Sequence, residues 1–287
     1  MTISSVVLGV AGWRLSALRA EPVGPPRATI LALPGGGYTS TYWHHPLHRD
    51  ASLLDVGSAL GYRVIAVDRP GYGLSAPGRA RGVPLQEQAE LLALLLDTLA
   101  VEAGAGRGTF LVGHSLGGIL GLTIASLQRT PSLLGIDVSG VPRHFSSDLA
   151  IAVDANLQQR TDLTIKSPAQ LFYGPPGSFN AELIASATSA GEASRPLELE
   201  ESQAWPDDFP NVAARVTVPV QFTLGEHEKV TRTGWSALRD VERLFTSAPL
   251  VQMQYQASAG HNVSLHHVGR AYHLRALAFF DEIAANI

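Results

Sequence analysis

The chain has 287 residues, of which 45% are hydrophobic and 16% are charged, and its formal net charge is −4. This composition argues against disorder, and the length suffices for one large domain or two small ones. No basic run stands out, so nucleic acid is not expected as a partner. The chain has no cysteine, which excludes disulfides, thiolate catalysis and cysteine zinc sites.

The N-terminal segment lacks the features of a signal peptide. It has no positively charged start, and its apolar run is short and interrupted. No apolar run approaches the ~18 residues that a membrane span needs. We therefore expect a cytoplasmic protein with no membrane partner, and the sequence leaves a homo-oligomer open.

Strand-like and helix-like segments alternate along the chain. The first twenty residues are compatible with an antiparallel pair of strands. Buried strands are predicted at "ATILALPGG" from Ala28, "YRVIAVDRPG" from Tyr62 and "GTFLVGHS" from Gly108, because these runs are apolar along their whole length. Further strands are predicted at "LLGIDVSG", "VPVQFTLGE" and "PLVQMQYQ", and a terminal helix at "HVGRAYHLRALAFFDEIAANI".

The intervening helices have recognisable ends. One closes at Gly61, and a second begins with Pro84 as its first helical residue and closes near Gly104. A third follows Ser115 and ends before Pro131. This alternation predicts an α/β fold with a mostly parallel sheet.

Residues 141–217, called the insertion below, interrupt this alternation. They contain no convincing buried strand and are too many for a plain connection. We interpret them as a mainly helical cap, or lid, inserted after strand 6, with residues 1–140 and 218–287 forming the core domain. A surface excursion without a role is the alternative.

The pentapeptide Gly113–Gly117, "GHSLG", fits G-x-S-x-G between a predicted strand and a predicted helix. In that setting a sharp turn holds the serine in a strained conformation, and glycines are needed because any Cβ would collide with the neighbouring elements. The pattern predicts Ser115 as a nucleophile. The alternative is a glycine-rich turn with an incidental serine.

A serine hydroxyl needs a base, and the base needs a carboxylate that orients it. His261 follows the last predicted strand and precedes the terminal helix, so we expect it at the same edge of the sheet. His266 and His267, further into the following turn, are the alternatives for the base. Glu228 and Glu226 follow the preceding strand, and of these Glu228 is better placed for the acid. Asp137, at the end of an earlier strand, is an alternative.

The loop Pro34–Tyr38, called the glycine loop below, follows the strand at Ala28. Its glycines let the backbone approach a ligand closely. A tetrahedral intermediate needs two N–H donors, and we expect one from Leu116 and one from this loop. A phosphate loop is disfavoured, because no Gly-Lys-Ser/Thr follows.

Other residues are candidates for the pocket. We expect substrate contacts from six side chains or backbone positions: Gly37, Tyr38, Trp43, His114, Phe145 and Phe172. Tyr173 and Trp205 could face an apolar substrate or pack within the insertion. His44, His45 and His48 do not complete a metal-binding pattern, so no metal site is expected. Asp68 and Arg69 follow a strand, and we expect an ion pair that fixes their loop.

Taken in order, these motifs resemble those of the α/β-hydrolase fold superfamily over nearly the whole chain. They are "PGGGYTSTYW", "DRPGYGLS", "GHSLGG", "LGEHE" and "AGH". The resemblance implies an eight-stranded sheet flanked by helices, with Ser115 as nucleophile, His261 as base and an acid at Glu228. It also implies an oxyanion hole from Leu116 and Gly36. Two departures are Pro34-Gly35, where the family usually has His-Gly, and glutamate where it more often has aspartate.

The predicted function is that of a serine hydrolase. We expect it to cleave a carboxylic ester or thioester of an apolar small molecule, without a cofactor. Two alternative reactions would use the same triad: hydrolysis of a carbon–carbon bond in a diketone, and acyl transfer to an acceptor other than water. A non-catalytic ligand-binding protein on the same fold is the alternative from another class.

Overall fold

The computed structural model describes residues 2–75, 81–102, 104–149 and 168–286. An eight-stranded sheet lies at its centre, with strands β1 (Ile3–Val10), β2 (Trp13–Ala20), β3 (Thr29–Leu33), β4 (Arg63–Val67), β5 (Thr109–His114), β6 (Leu133–Ser139), β7 (Val220–Gly225) and β8 (Val251–Gln256). The order across the sheet is β1-β2-β4-β3-β5-β6-β7-β8. Strand β2 runs antiparallel to both of its neighbours, and all other pairs are parallel. The predicted mostly parallel α/β fold is confirmed.

Helices cover both faces of this sheet. Among the described residues that flank the insertion, five helices are present: α1 (Leu53–Ala59), α2 (Leu85–Ala100), α3 (Leu116–Leu127), α7 (Trp235–Glu242) and α8 (Gly269–Ala285). Alternate residues of β3 enter opposite clusters: Leu31 and Leu33 pack with α2 and α3, whereas Ile30 and Ala32 pack with α1 and α8. The central strands β3, β4 and β5 are largely apolar because both of their faces are buried.

The predicted helix ends agree with the structure to within a few residues. Gly61 follows α1 with φ +92°, a conformation that favours glycine. Pro84 is the N-cap of α2 and not its first helical residue, and α2 ends at Ala100, before the predicted position near Gly104. Helix α3 ends when Gln128 takes a left-handed φ of 54°, three residues before Pro131.

Three helices of the insertion lie within the described residues: α4 (Pro168–Tyr173), α5 (Ala181–Ser189) and α6 (Pro196–Ala213). In α6, Trp205 stacks on Phe209 with ring centroids 5.1 Å apart, and Phe209 stacks on Phe222 of β7 at 6.1 Å. Residues 150–167 of the insertion lie outside the described residues, so its boundary and its role as a separate domain stay predictions. Within the described ranges, no helix combines the length and the hydropathy that crossing a bilayer requires.

Candidate active site

Four of the predicted site residues follow four parallel strands. Gly36 follows β3, Ser115 follows β5, Glu228 follows β7 and His261 follows β8. Parallel strands place their carboxyl ends at one edge of the sheet, which is where ligands bind in open α/β folds. Gly36, Ser115 and His261 line one cavity there.

The turn between β5 and α3 is strained at Ser115. This residue has φ 52° and ψ −117°, a conformation that costs an L-residue on the order of 1–3 kcal/mol. The flanking glycines are required by close packing. A Cβ on Gly113 would lie 2.5 Å from the carbonyl oxygen of Gly117, and one on Gly117 would lie 2.2 Å from that of Leu33. The turn therefore presents Ser115 at the start of α3, where N–H groups favour negative charge.

His261 contacts a buried carboxylate. Its Nδ1 lies 2.9 Å from Oε2 and 3.1 Å from Oε1 of Glu228, and both side chains are almost fully buried. The backbone N–H of Val230 also donates to Glu228 Oε1 at 2.8 Å. Because a carboxylate accepts hydrogen bonds, the arrangement assigns the ring proton to Nδ1 and leaves Nε2 free to accept one.

The other candidate acids have different partners. Asp137 accepts hydrogen bonds from Gln221 Nε2 at 2.7 Å and from Tyr272 at 2.6 Å, inside the core. Glu226 is half exposed and accepts from the backbone N–H of Ser258. Of the three carboxylates, Glu228 is the one that the structure brings to His261.

The glycine loop lies against the first turn of α3. A Cβ on Gly35 would come within 3.3 Å of Ser115 Cβ, and one on Gly36 within 2.8 Å of Leu116 Cδ1, so the two expected N–H donors lie on segments that pack against each other. Both residues line the cavity. Arg69 Nη2 donates to the carbonyl oxygen of Gly35 at 3.2 Å. Arg69 forms its ion pair with Glu198 of α6. The ion pair expected to fix this loop is therefore not one between Asp68 and Arg69.

Asp68 has other partners on its side of the loop. Its Oδ1 accepts from the backbone N–H of Ser40 at 2.7 Å, and its Oδ2 accepts from the Ser16 hydroxyl at 2.5 Å.

The cavity has a volume of about 530 Å³. Its apolar wall comes from α3, from the insertion and from the loop after β7. The residues of this wall are Leu116, Ile119, Pro142, Phe145, Leu149, Phe172, Leu199 and Val230. Among the described residues that line it, there is no lysine or arginine, and the one carboxylate, Glu192, is paired with Arg195. The described wall of the cavity is therefore mainly apolar.

His114 forms part of the cavity wall with its ring held on two sides. Its Nδ1 lies 3.1 Å from the hydroxyl of Ser139 and its Nε2 lies 3.0 Å from Asn262 Oδ1, and the ring stacks on Tyr42. Burial, followed by the nearby ring of His261, holds the pKa of His114 well below its usual value. His114 is therefore a neutral wall residue with both nitrogens occupied.

The structure places the other candidates as follows. Gly37, Tyr38, Phe145 and Phe172 line the cavity, whereas Trp43 does not. Trp43 is fully buried and packs edge-on against Tyr42, because the short helix at Ser40–Trp43 turns it into the core. Trp43 therefore lies in the core and does not line the cavity, in contrast to the expected substrate contact.

The remaining aromatic candidates pack elsewhere. Tyr173 shares a 2.6 Å hydrogen bond with Tyr38, and Trp205 packs against Phe209. In the described part of the chain, no three His, Asp or Glu residues are arranged to hold a metal ion.

Several polar residues at the cavity were missed by sequence analysis. They are Thr188, Glu192, Ser194, Ser202 and Asn262. Asn262 adjoins the predicted base, and its Nδ2 donates to the hydroxyl of Tyr38 at 3.2 Å. The sequence signal that could have identified Asn262 is its position directly after His261. The other four lie in the insertion, where no motif or periodicity marks which side chains face the cavity.

Curated relatives match only parts of this chain. Over 109 residues it is 36% identical to the dihydrolipoyllysine-residue acetyltransferase component of the acetoin cleaving system of Pseudomonas putida, covering 37% of this chain and 25% of that protein. Over 95 residues it is 39% identical to a 2-hydroxy-6-oxononadienedioate/2-hydroxy-6-oxononatrienedioate hydrolase of Burkholderia vietnamiensis, covering 33% and 30%. The match thus spans less than a third of either relative.

Solved structures and the family comparison cover the chain more fully. A carboxyl esterase from Bacillus coagulans superimposes with a TM-score of 0.72 over 99% of both chains, at 14% identity, which shows a shared fold. Residues 30–282 match the Alpha/beta hydrolase family. The resemblance predicted from the motifs is therefore confirmed, and the chain belongs to the alpha/beta hydrolase family.

Proposed function

We propose that the chain is a serine hydrolase that cleaves a carboxylic ester or thioester of an apolar small molecule through an acyl-enzyme. The observation that carries this proposal is the 2.9 Å contact between His261 Nδ1 and the buried Glu228, beside a cavity that also holds Ser115. A base oriented in this way is what a serine nucleophile requires.

In the first half-reaction, Ser115 Oγ attacks the carbonyl carbon and its proton passes to His261 Nε2. The carbon–oxygen bond to the leaving alcohol, or the carbon–sulfur bond of a thioester, then breaks. The leaving group takes the proton from His261, and the acyl group remains on Ser115. Glu228 stabilises the imidazolium that exists between these proton transfers.

In the second half-reaction, water gives a proton to His261 and attacks the acyl carbon. The bond to Ser115 Oγ breaks, the proton returns to this oxygen, and the acid leaves. In both halves the carbonyl oxygen carries negative charge. The N–H groups of Leu116 and Gly36 would hold that oxygen, and each such donor is worth about 10²–10³ in kcat.

The proposed substrate class rests on the cavity. Its wall is mainly aliphatic and aromatic, and its described lining has no cation that would pair with an acidic substrate. Buried unpaired charge is costly, so an anionic ligand would bind poorly here. An uncharged ester with an apolar acyl or alcohol part fits best.

Hydrolysis of a carbon–carbon bond in a diketone is a second candidate. The 39% identity to the Burkholderia vietnamiensis enzyme favours it, because the name of that enzyme's substrate gives it a ketone at carbon 6. The same name describes a dioate, whose two negative charges the described cavity lining would not neutralise. A neutral diketone is therefore the form in which this candidate should be tested.

The test compares the wild type with Ser115→Ala. We expect an alkyl fluorophosphonate to label the wild type at one site and leave Ser115→Ala unlabelled, with p-nitrophenyl butyrate hydrolysis lost in parallel. A wild type that neither labels nor hydrolyses short esters would overturn the proposal and favour a ligand-binding protein. Faster turnover of a neutral diketone than of any ester or thioester would favour the second candidate.

A further inference from the structure

A buried ion pair joins the insertion to the loop after β4. Arg69 Nη1 lies 2.6 Å from Oε1 of Glu198 in α6, and both side chains are fully buried. Tyr72 donates to Glu198 Oε2 at 2.6 Å, and Gln88 Nε2 donates to Oε1 at 2.8 Å. Burial would raise the pKa of Glu198, but Arg69 and these hydrogen bonds hold it below the usual value, so the carboxylate is charged.

A buried ion pair does not by itself show that the pair stabilises the folded protein. Removing two charges from water is costly, and well-packed apolar residues at such a position often stabilise a protein equally well. What distinguishes this pair is a third partner. Arg69 Nη2 also donates to the carbonyl oxygen of Gly35 in the glycine loop at 3.2 Å.

That contact acts on the peptide that carries the Gly36 N–H. The carbonyl of Gly35 and the amide of Gly36 belong to one planar trans peptide, so the two bonds point in opposite directions. A donor that fixes the carbonyl therefore fixes the direction of the N–H. The backbone N–H of Tyr38 also donates to this oxygen, at a longer 3.3 Å.

The other side of the glycine loop is held by Tyr72 and by the backbone of the insertion. The backbone N–H of Glu192, in the insertion, donates to the carbonyl of Gly37 at 2.8 Å. The Tyr72 hydroxyl accepts from the Gly37 N–H at 3.4 Å and from the Arg195 N–H at 3.2 Å. The loop thus lies between Arg69 and the insertion.

We propose that Arg69, Tyr72 and Glu198 form a clamp that makes the oxyanion donor of Gly36 depend on docking of α6. Arg69 is a positioning residue in this clamp: it acts through the Gly35–Gly36 peptide and does not touch the substrate. The inference rests on the proposed function, since it needs a reaction in which an oxyanion develops. It adds that the insertion controls transition-state stabilisation as well as pocket shape.

The test uses two clamp variants and one matched control. Glu198→Gln removes the charge with little change in volume, and the double variant Arg69→Met, Glu198→Met replaces both charges with apolar side chains that buried sites tolerate. Glu200→Gln is the control, because Glu200 lies on the same helix and forms an exposed ion pair with Arg81 at 3.1 Å. Circular dichroism and thermal unfolding establish which variants are folded.

Three measurements separate positioning from stability. These are kcat and KM for p-nitrophenyl butyrate, the rate of fluorophosphonate labelling, and the affinity for an alkyl trifluoromethyl ketone, which forms a tetrahedral adduct with the serine. Binding of the uncleaved ester to the same variants in a Ser115→Ala background reports ground-state affinity. A merely structural role would lower the unfolding temperature and leave the kinetics of the folded fraction unchanged.

We expect the folded clamp variants to lose about tenfold to a hundredfold in kcat and in trifluoromethyl ketone affinity, while ester binding changes less than about twofold. Glu200→Gln should match the wild type in all measurements. Wild-type kcat and ketone affinity in any folded clamp variant would overturn the inference and leave the proposed function intact. A wild type that does not react with fluorophosphonate would overturn both.

Discussion

Two buried carboxylates, Glu228 and Asp137, differ in their hydrogen-bond partners and therefore in whether they can orient the proposed base. Glu228 faces the ring of His261 and accepts a hydrogen bond from its Nδ1–H. Asp137 faces Tyr272 and Gln221, and it has no ring nitrogen to orient. Tyr272 lies 3.2 Å from Ser139, which contacts His114, so Asp137 belongs to a buried polar chain that ends at the cavity wall.

Glu228→Gln tests the acid of the proposed triad. The amide removes the charge that stabilises the imidazolium and can present its N–H₂ group to Nδ1, which favours the wrong tautomer of His261. We expect kcat for an ester to fall by about a thousandfold or more, with a folded protein. Asp137→Asn is the control, and its kcat should stay within about tenfold. Equal losses of kcat in the two variants would contradict the assignment of Glu228 as the acid of the triad.

The same Asp137→Asn variant carries a prediction about stability. Burial raises the pKa of Asp137 to about 6, although Tyr272 and Gln221 oppose the shift. The folded state therefore holds this proton over a range in which the unfolded chain releases it, and stability falls as pH rises from about 4 to about 6. The variant has no such proton.

We expect the wild type to lose stability relative to Asp137→Asn as the pH is raised through this range, by at most about 3 kcal/mol. Urea denaturation of both proteins at intervals between pH 4 and pH 8 measures the difference. Groups that titrate in both proteins cancel in this comparison. A difference that is independent of pH would show that the pKa of Asp137 is the same in the folded and unfolded chains.

Among the elements, the β5–α3 turn and the strands around it could be predicted from the sequence. Their apolar runs and glycines follow directly from burial on two faces and from steric limits at Gly113 and Gly117. The insertion could not be predicted in the same detail. Helix α6 contains Pro206 and Pro210 in its interior, where the usual rules would end a helix. Its stability comes from tertiary contacts such as Phe209 on Phe222, which no local pattern encodes.

Gly117→Ala tests the packing of α3 against β3. The added Cβ would lie 2.2 Å from the carbonyl oxygen of Leu33, a backbone atom inside the sheet that cannot move aside. We expect the free energy of unfolding to fall by about 3 kcal/mol or more, as overpacking against fixed atoms does. Gly9→Ala in β1, where an added Cβ would meet no atom within 4 Å beyond its chain neighbours, should change it by about 1 kcal/mol or less. Similar effects at both positions would contradict the close packing of the turn.

At the scale of the whole molecule, the insertion and the sheet share one core. Trp205, Phe209 and Val212 of α6 belong to the same buried cluster as Leu111 of β5 and Phe222 of β7. Helix α6 also supplies Glu198 to the ion pair beneath the glycine loop. The sequence indicated an insertion by its length and its lack of buried strands. It gave no sign that one of its helices packs into the sheet's own core.

Phe209→Ala tests whether this shared core unfolds as one unit. Phe209 is fully buried between Trp205 and Phe222, so its removal leaves a cavity that costs about 3–5 kcal/mol. Because α6 and the sheet share the cluster, we expect one urea transition that is shifted as a whole, with tryptophan fluorescence and far-ultraviolet circular dichroism coinciding. Leu199→Ala on the same helix, where the side chain is 48% exposed, should leave the midpoint almost unchanged. An early fluorescence transition in Phe209→Ala, with the circular dichroism retained, would instead mean that the insertion unfolds independently of the sheet.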